Sequence, residues 1–257
     1  MSRAPDVRTE RPSHGAFSGL ELWCVDLENA GPVLHDVEQR TQRLSEQDRE
    51  GAGVLKDVDA VRERLATRIA LRVLIERALG SEWRGVPFER SAHGKPYLAG
   101  APVHFSISHV AGVALIGIAS EAPIGVDVER VREVHMRDPR RSRIEAAAVA
   151  LSPAQPLPAG GEARFLQAWV RLEALAKADG GGIGRLLTRL DIAGRRASPD
   201  EGWEARVAEA KAAANVRHLG DLALGSGIFA AAALSERATP QLRWLPQDLE
   251  GLEELVG

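Results

Sequence analysis

The chain has 257 residues, 44% hydrophobic and 27% charged, with a formal net charge of −3; one large lobe or two smaller ones fit that length. The near-neutral charge excludes a surface that is basic throughout, and the single cysteine, Cys24, excludes a disulfide framework or a cysteine-rich zinc site. No apolar run reaches the roughly 18 residues that cross a bilayer, and the N-terminus has no secretory apolar region, so a cytoplasmic protein with neither membrane nor nucleic-acid partner is expected.

Residues 1–18 are polar and rich in Arg, Pro, Ser and Gly, the composition of a mobile leader. Leu20–Leu27 reads as a first strand. Helical signals follow from Leu44, and the longest lies between Asp57 and Gly80, where Val58, Val61, Leu65, Ile69 and Val73 form one apolar stripe. Gly80 is its expected cap. Arg62, Arg64, Arg68 and Arg72 decorate this helix, most of them off the stripe. A β-rich stretch follows. Val103–Ser108 alternates, with Val103, Phe105 and Ile107 on one face and His104, Ser106 and Ser108 on the other. Gly112–Ser120 is nearly all apolar, as a buried central strand would be, and Gly125–Glu129 is a third strand. Residues 152–162 read as a loop. A helix runs from Ala163 to Asp179, with Phe165, Trp169, Leu172 and Ala176 on one stripe, and Gly180–Gly182 stops it. Beyond lie Leu187–Ile192, Gly202–Val207 and a strand within Leu222–Leu234. The tail from Thr239 carries little structural signal. The order of elements implies an α+β fold with two lobes, spanning 19–122 and 123–238, with a tail over 239–257.

Four constellations could carry chemistry. Asp127 and Glu129 are two apart on a strand, so they share a face, with stems about 6.6 Å apart. They read either as an exposed acidic face or as oxygen ligands for Mg²⁺. Glu173 and Lys177 are one turn apart on a helix. They read as a surface ion pair or, because Glu173 borders the apolar stripe, as part of a site. Ser108 and His109 are adjacent, so their side chains diverge on a strand, and no G-x-S-x-G elbow is present; a serine hydrolase is excluded on both grounds. Lys95 sits between Gly94 and Pro96 in a tight turn, either an ordinary exposed lysine or a fixed point charge for a phosphate. The Gly180–Gly184 run follows a helix and lacks Gly-Lys-Ser/Thr, so it is a helix stop and not a phosphate loop. Arg130–Arg143 holds six arginines against Glu133 and Asp138, a local excess of +4, which suits a solvated face or an acidic partner.

The order of these pieces is more specific than any one of them. His-Gly-Lys-Pro-Tyr (93–97), Phe-Ser-Ile-Ser-His (105–109), Ile-Gly-Val-Asp-Val-Glu (124–129) and Trp-Val-Arg-Leu-Glu-Ala-Leu-Ala-Lys-Ala-Asp-Gly (169–180) resemble the 4'-phosphopantetheinyl transferases. The larger monomeric branch, which includes the surfactin-synthetase activator, is the nearest pattern, and the resemblance runs from Leu44 to Gly184. It implies a pseudo-twofold pair of similar α/β lobes with the active site at their interface. It implies coenzyme A as donor and an acyl or peptidyl carrier protein as acceptor, in polyketide, nonribosomal peptide or fatty acid synthesis. Asp127, Glu129 and Glu173 would hold Mg²⁺, with Mn²⁺ possible in its place. Glu173 and Lys177 would be catalytic, with Lys177 also on the pyrophosphate. Arg62, Lys95, Ser108 and His109 would contact coenzyme A. The sequence departs from the family's pattern at Leu172, where a lysine usually precedes the glutamate, so Arg171 or a loop residue would have to supply that cation. A relative impaired in catalysis, binding coenzyme A or a carrier protein in a regulatory role, is the alternative. An unrelated Mg²⁺-dependent phosphohydrolase is a third reading.

Overall fold

The computed structural model describes residues 17–53, 56–192, 203–236 and 241–256. Nearly all of the expected leader therefore lies outside the described residues, as do Gly202 and Thr239. Among the described residues the chain runs through β1 (Leu20–Asp26), α1 (Leu27–Arg40), α2 (Glu46–Gly53) and α3 (Val58–Leu79). Next come β2 (Glu89–Arg90), β3 (Pro96–Tyr97), β4 (His104–Val110), β5 (Val113–Ala119), β6 (Gly125–Arg130), α4 (Asp138–Leu151) and α5 (Gly161–Asp179). The chain continues through α6 (Ile183–Arg189), α7 (Trp203–Ala213), β7 (His218–Asp221), β8 (Ile228–Leu234), β9 (Leu242–Trp244) and α8 (Leu249–Val256).

Two sheets pack face to face between two sets of helices. One sheet has the order β4-β5-β1-β9 and the other β6-β8-β7. Strand alternation assigns the faces. Trp23, Val25, Ile116 and Ile118 turn toward α1, α3 and α8, and their neighbours Leu22, Cys24, Val113 and Leu115 turn the other way. That second face meets Val126, Val128, Ala230 and Ala232 of the smaller sheet. Ala231 and Ala233 point on to a core built with α4, α5, α6 and α7. The mixed α+β class expected from the sequence is what forms.

The ends of α3 follow its sequence. The Asp57 carboxylate accepts from the Asp59 and Ala60 N–H groups, both at 2.9 Å, and the Gly80 N–H closes on the Glu76 carbonyl at 2.7 Å. The buried face differs from the expected stripe: Val58 is 64% exposed, while the run from Ala66 to Glu76 is buried except at Arg68. Arg72, read as a decoration, is buried. Its guanidinium binds Asp48 at 2.6 Å and lies 3.7 Å from the Phe88 ring centroid. The helix α1, which has no counterpart in the sequence reading, starts on Asp26 as its cap and buries Ala30, Leu34 and Val37 in spite of Pro32 inside it. The low-signal tail also differs from expectation. β9 pairs in parallel with β1, and Leu252 and Leu255 of α8 join the core of α1 and α3. Three residues of strand and a short helix are too little to read without the partner they pack on.

α5 is buried on most of its circumference because it lies between the smaller sheet and α4 and α6. Gly125 opens β6 directly against it. A β-carbon there would lie 1.9 Å from the Ala174 carbonyl oxygen, so only glycine allows this approach. Arg171 is fully buried within the helix. It forms a bidentate bridge to Asp221 at 2.7 and 2.6 Å and donates to the Ala148 and Gln155 carbonyls. Removing one partner of such a pair strands the other charge. Asp221→Ala should therefore cost about 3 kcal/mol in urea denaturation. A loss below about 1 kcal/mol would mean that the two carbonyls satisfy the guanidinium alone.

Candidate active site

The site forms where an edge strand of one sheet crosses an edge strand of the other. β4 is an edge of the larger sheet and β6 of the smaller. In place of ladder bonds, serine hydroxyls join them. Ser106 Oγ accepts the Val126 N–H at 3.0 Å, and Ser108 Oγ donates to Asp127 Oδ1 at 2.7 Å. On β6, Val126 and Val128 enter the core between the sheets, which turns Asp127 toward α5. Asp127 is buried, and the same Oδ1 accepts from Lys177 Nζ at 2.7 Å. Lys177 also donates to the Ile107 carbonyl at 3.3 Å.

Glu173 lies one turn before Lys177 on α5 and is half-buried. Its carboxyl is pushed up to about 7, first by burial and then by the Asp127 carboxylate, with Glu129 adding to the rise and Lys177 opposing it. Glu129, on the same face of β6 as Asp127, is held by Arg132 at 3.2 Å. The structure thus brings Asp127, Glu129, Glu173 and Lys177 into one electrostatic neighbourhood.

A cleft of about 240 Å³ opens beside this group, lined by His93, Lys95, Ser106, Ile107, Glu173 and Lys177 among others. Lys95 reaches it with its stem, and its ammonium donates to backbone carbonyls at the end of α5 and before β6. Burial lowers Lys95 to about 8, with Asp179 opposing the shift. Pro96 lines this cleft and also a second recess formed by Arg64, Arg68, Arg90, Asp48 and Phe88. Arg68 is mostly buried there, and its Nη1 meets no partner among the described residues. His109 is near both regions. Burial pulls it below the ordinary histidine range, Glu63 opposes that, and Arg64, Lys177 and Arg68 add to it. The carboxylate cluster and the arginine recess therefore flank one continuous surface.

Arg62 is not brought to this surface. It is 69% exposed and pairs with Asp59 one turn back. Two helical residues turn by about 200°, so Arg64 and Arg68, four apart, share the face that Arg62 cannot reach. That spacing was the available signal for them. Glu63 accepts the Gly112 N–H at 2.8 Å and so fixes the β4–β5 turn that follows His109.

A family model described as 4'-phosphopantetheinyl transferase, N-terminal, matches residues 30–122. The 4'-phosphopantetheinyl transferase psf-1 of Bacillus pumilus is 27% identical over 167 residues, 64% of this chain and 68% of that protein. The putative 4'-phosphopantetheinyl transferase slr0495 of Synechocystis sp. is 30% identical over 149 residues, 54% of this chain and 59% of that protein. The 4'-phosphopantetheinyl transferase AcpT of Salmonella typhimurium is 33% identical over 134 residues, 49% of this chain and 64% of that protein. Over these matched stretches the chain is similar to 4'-phosphopantetheinyl transferases. The matches to the second and third of these relatives span less than two thirds of their lengths.

Two further features bear on the site. At the departure from the family's pattern, Leu172 is fully buried in the core around α5, and Arg171 is committed to Asp221. Arg171 therefore cannot supply the missing cation. Among the described residues no three His, Cys, Asp or Glu side chains are gathered closely enough to ligate one ion. The three carboxylates offer only oxygen, the donor type that suits a hard divalent cation.

A carboxyl that titrates higher folded than unfolded adds stability that is complete below its ordinary value of 4.5 and is lost as pH rises through about 7. After screening by solvent this amounts to about 1 kcal/mol, or roughly 2–4 °C in Tm. Without divalent cations, Glu173→Gln should melt that much above the wild type at pH 8 and level with it at pH 5. Equal melting at pH 8 would show that the carboxylate is already compensated.

Proposed function

We propose that this chain transfers the 4'-phosphopantetheine group from coenzyme A to a serine of an acyl or peptidyl carrier protein, with Mg²⁺, releasing adenosine 3',5'-bisphosphate. The observation that carries this reading is the Asp127–Lys177 pair beside the raised Glu173, at one end of a surface whose other end is the recess of Arg64, Arg68 and Arg90. Coenzyme A carries a pyrophosphate and a 3'-phosphate, and two separate groups of charge suit a ligand of that form.

In the reaction the serine oxygen forms a bond to the phosphorus that bears pantetheine, and the bond to the departing adenosine bisphosphate breaks. Positioning and charge stabilisation carry most of such a transfer. Asp127, Glu129 and Glu173 would hold Mg²⁺, or Mn²⁺ on the same oxygen donors. When bound, the ion would neutralise charge on the pyrophosphate oxygens. Lys177 adds a cation on the same side. Glu173 stands ready to accept the serine proton. Ser108 and His109, with Arg64 and Arg68 in place of Arg62, hold the 3'-phosphate and adenine end. Arg137 and Arg140 are the docking contacts for an acidic carrier domain. Arg130, Arg132, Arg141 and Arg143 are bound to Ala111, to Glu129, to Glu145 with Glu162, and to Pro139, while Arg137 and Arg140 are exposed. A monomer of the larger branch, in the cytoplasm, with pseudo-twofold lobes and the holo-acyl-carrier-protein synthase type of activity, completes this reading.

Incubation with apo carrier protein, coenzyme A and Mg²⁺ should add phosphopantetheine, detected by mass spectrometry. No addition on any of several carrier types overturns the proposal, and tight coenzyme A binding in that case points to the impaired relative. Glu173→Gln should lower kcat/KM at least about 100-fold with the fold intact. The KM for carrier protein should rise several-fold between low and high salt, less so in Arg137→Ala/Arg140→Ala. A salt-independent KM removes the docking role.

A further inference from the structure

The strongest feature outside the roles assigned above is the environment of the Lys95 ammonium. Nζ lies 2.5 Å from the Lys177 carbonyl oxygen, 3.2 Å from that of Ile124 and 3.4 Å from that of Ala178. An ammonium has three donors and no acceptor, so these carbonyls use its full capacity. Lys177 and Ala178 belong to the last turn of α5, where carbonyls find no partner within the helix and the helix dipole is negative. Ile124 is the residue before β6. One side chain therefore joins the two elements whose own side chains form the Asp127–Lys177 bond.

The surroundings are shaped for this contact. The helix stops at Gly180 with φ of +75°, and a β-carbon there would lie 3.3 Å from Lys95 Cδ. The lysine itself is held in its turn, with its N–H on Ser91 Oγ at 3.1 Å and its carbonyl accepting the Ser91 N–H at 2.9 Å. Pro96 follows directly and is paired in β3.

We propose that Lys95 is a positioning residue, a clamp that fixes the last turn of α5 against the start of β6 and so sets Lys177 and Glu173 relative to Asp127, and that it does not serve as a phosphate ligand. The catalytic part of this rests on the transferase reading; the clamp itself does not. Lys177 is gripped at its carbonyl by Lys95 while its side chain grips Asp127, so slack at the carbonyl moves the ammonium at the site.

The test uses the full chain with Lys95→Met, which keeps the stem and removes the donors, and Lys95→Arg, which restores charge. In the free protein, amide hydrogen exchange over residues 176–182 should quicken roughly tenfold in Lys95→Met and partly recover in Lys95→Arg. Unchanged exchange overturns the clamp, whatever the activity. In transfer assays, kcat of Lys95→Met should fall roughly tenfold or more, with the KM for coenzyme A within about threefold. The loss should be the same factor with 3'-dephospho-coenzyme A as donor. A KM effect that disappears with the dephospho donor makes Lys95 a ligand of the 3'-phosphate and overturns the proposal. If the wild type transfers nothing, the transferase reading falls, and the exchange measurement decides the clamp alone.

Discussion

One carboxylate oxygen, Asp127 Oδ1, accepts a hydroxyl from β4 and an ammonium from α5. These donors come from the two halves of the molecule, one attached to the larger sheet and one to the smaller. A buried carboxylate tolerates its surroundings only when its lone pairs are matched, so the meeting of the two sheet edges is fixed around this atom. The rest of the architecture serves that meeting. Gly125 lets β6 approach α5 at backbone distance, Ser106 satisfies an edge N–H that no strand reaches, and Val126 and Val128 point Asp127 outward by occupying the core.

Charge of both signs is sorted by the fold. Arg72 with Asp48, Arg43 with Glu76, and Arg171 with Asp221 are taken out of solvent as matched groups. At the cleft, burial and the nearby carboxylates raise Glu173, and in the adjoining recess Arg68 keeps a buried Nη1 with no partner among the described residues. The near-neutral total of −3 is therefore an average over a surface that is not neutral where it is concave. Leu172 fits this picture: where a cation would have been placed, the chain has a core residue, and Lys177 remains the ammonium on Asp127.

Elements whose signals are local could be read from the chain. Asp57 and Gly80 mark the ends of α3 because capping depends on residues within a few positions. The alternation in β4 and β6 is local too, and it placed Asp127 on the face opposite Val126 and Val128. What could not be read depends on partners distant in sequence. Arg72 is buried by a carboxylate 24 residues away and Arg171 by one 50 residues away, so the first read as a decoration of its helix and the second as a spare cation for the site. The motif places its arginine only to within a residue or two of Glu63, so it does not separate Arg62 from Arg64. α1 was obscured by Gly31 and Pro32, although Ala30, Leu34 and Val37 carry the helical spacing. The carboxylates Asp127, Glu129 and Glu173 were named from their pattern, and their common neighbourhood needed the crossing of β6 and α5.

The pairing of β9 with β1 has a consequence for how the chain is made. Leu22 in the first strand meets Leu242, and Trp23 meets Arg243, so that edge of the larger sheet stays open while nearly all of the intervening chain is synthesised. The core beneath it lacks Leu245, Leu252 and Leu255 for the same interval. An open strand edge beside an incomplete apolar core is the sort of surface that pairs with other chains. For this fold, the nascent chain is most exposed to misassembly in the interval between the emergence of β1 and the arrival of the segment that covers it.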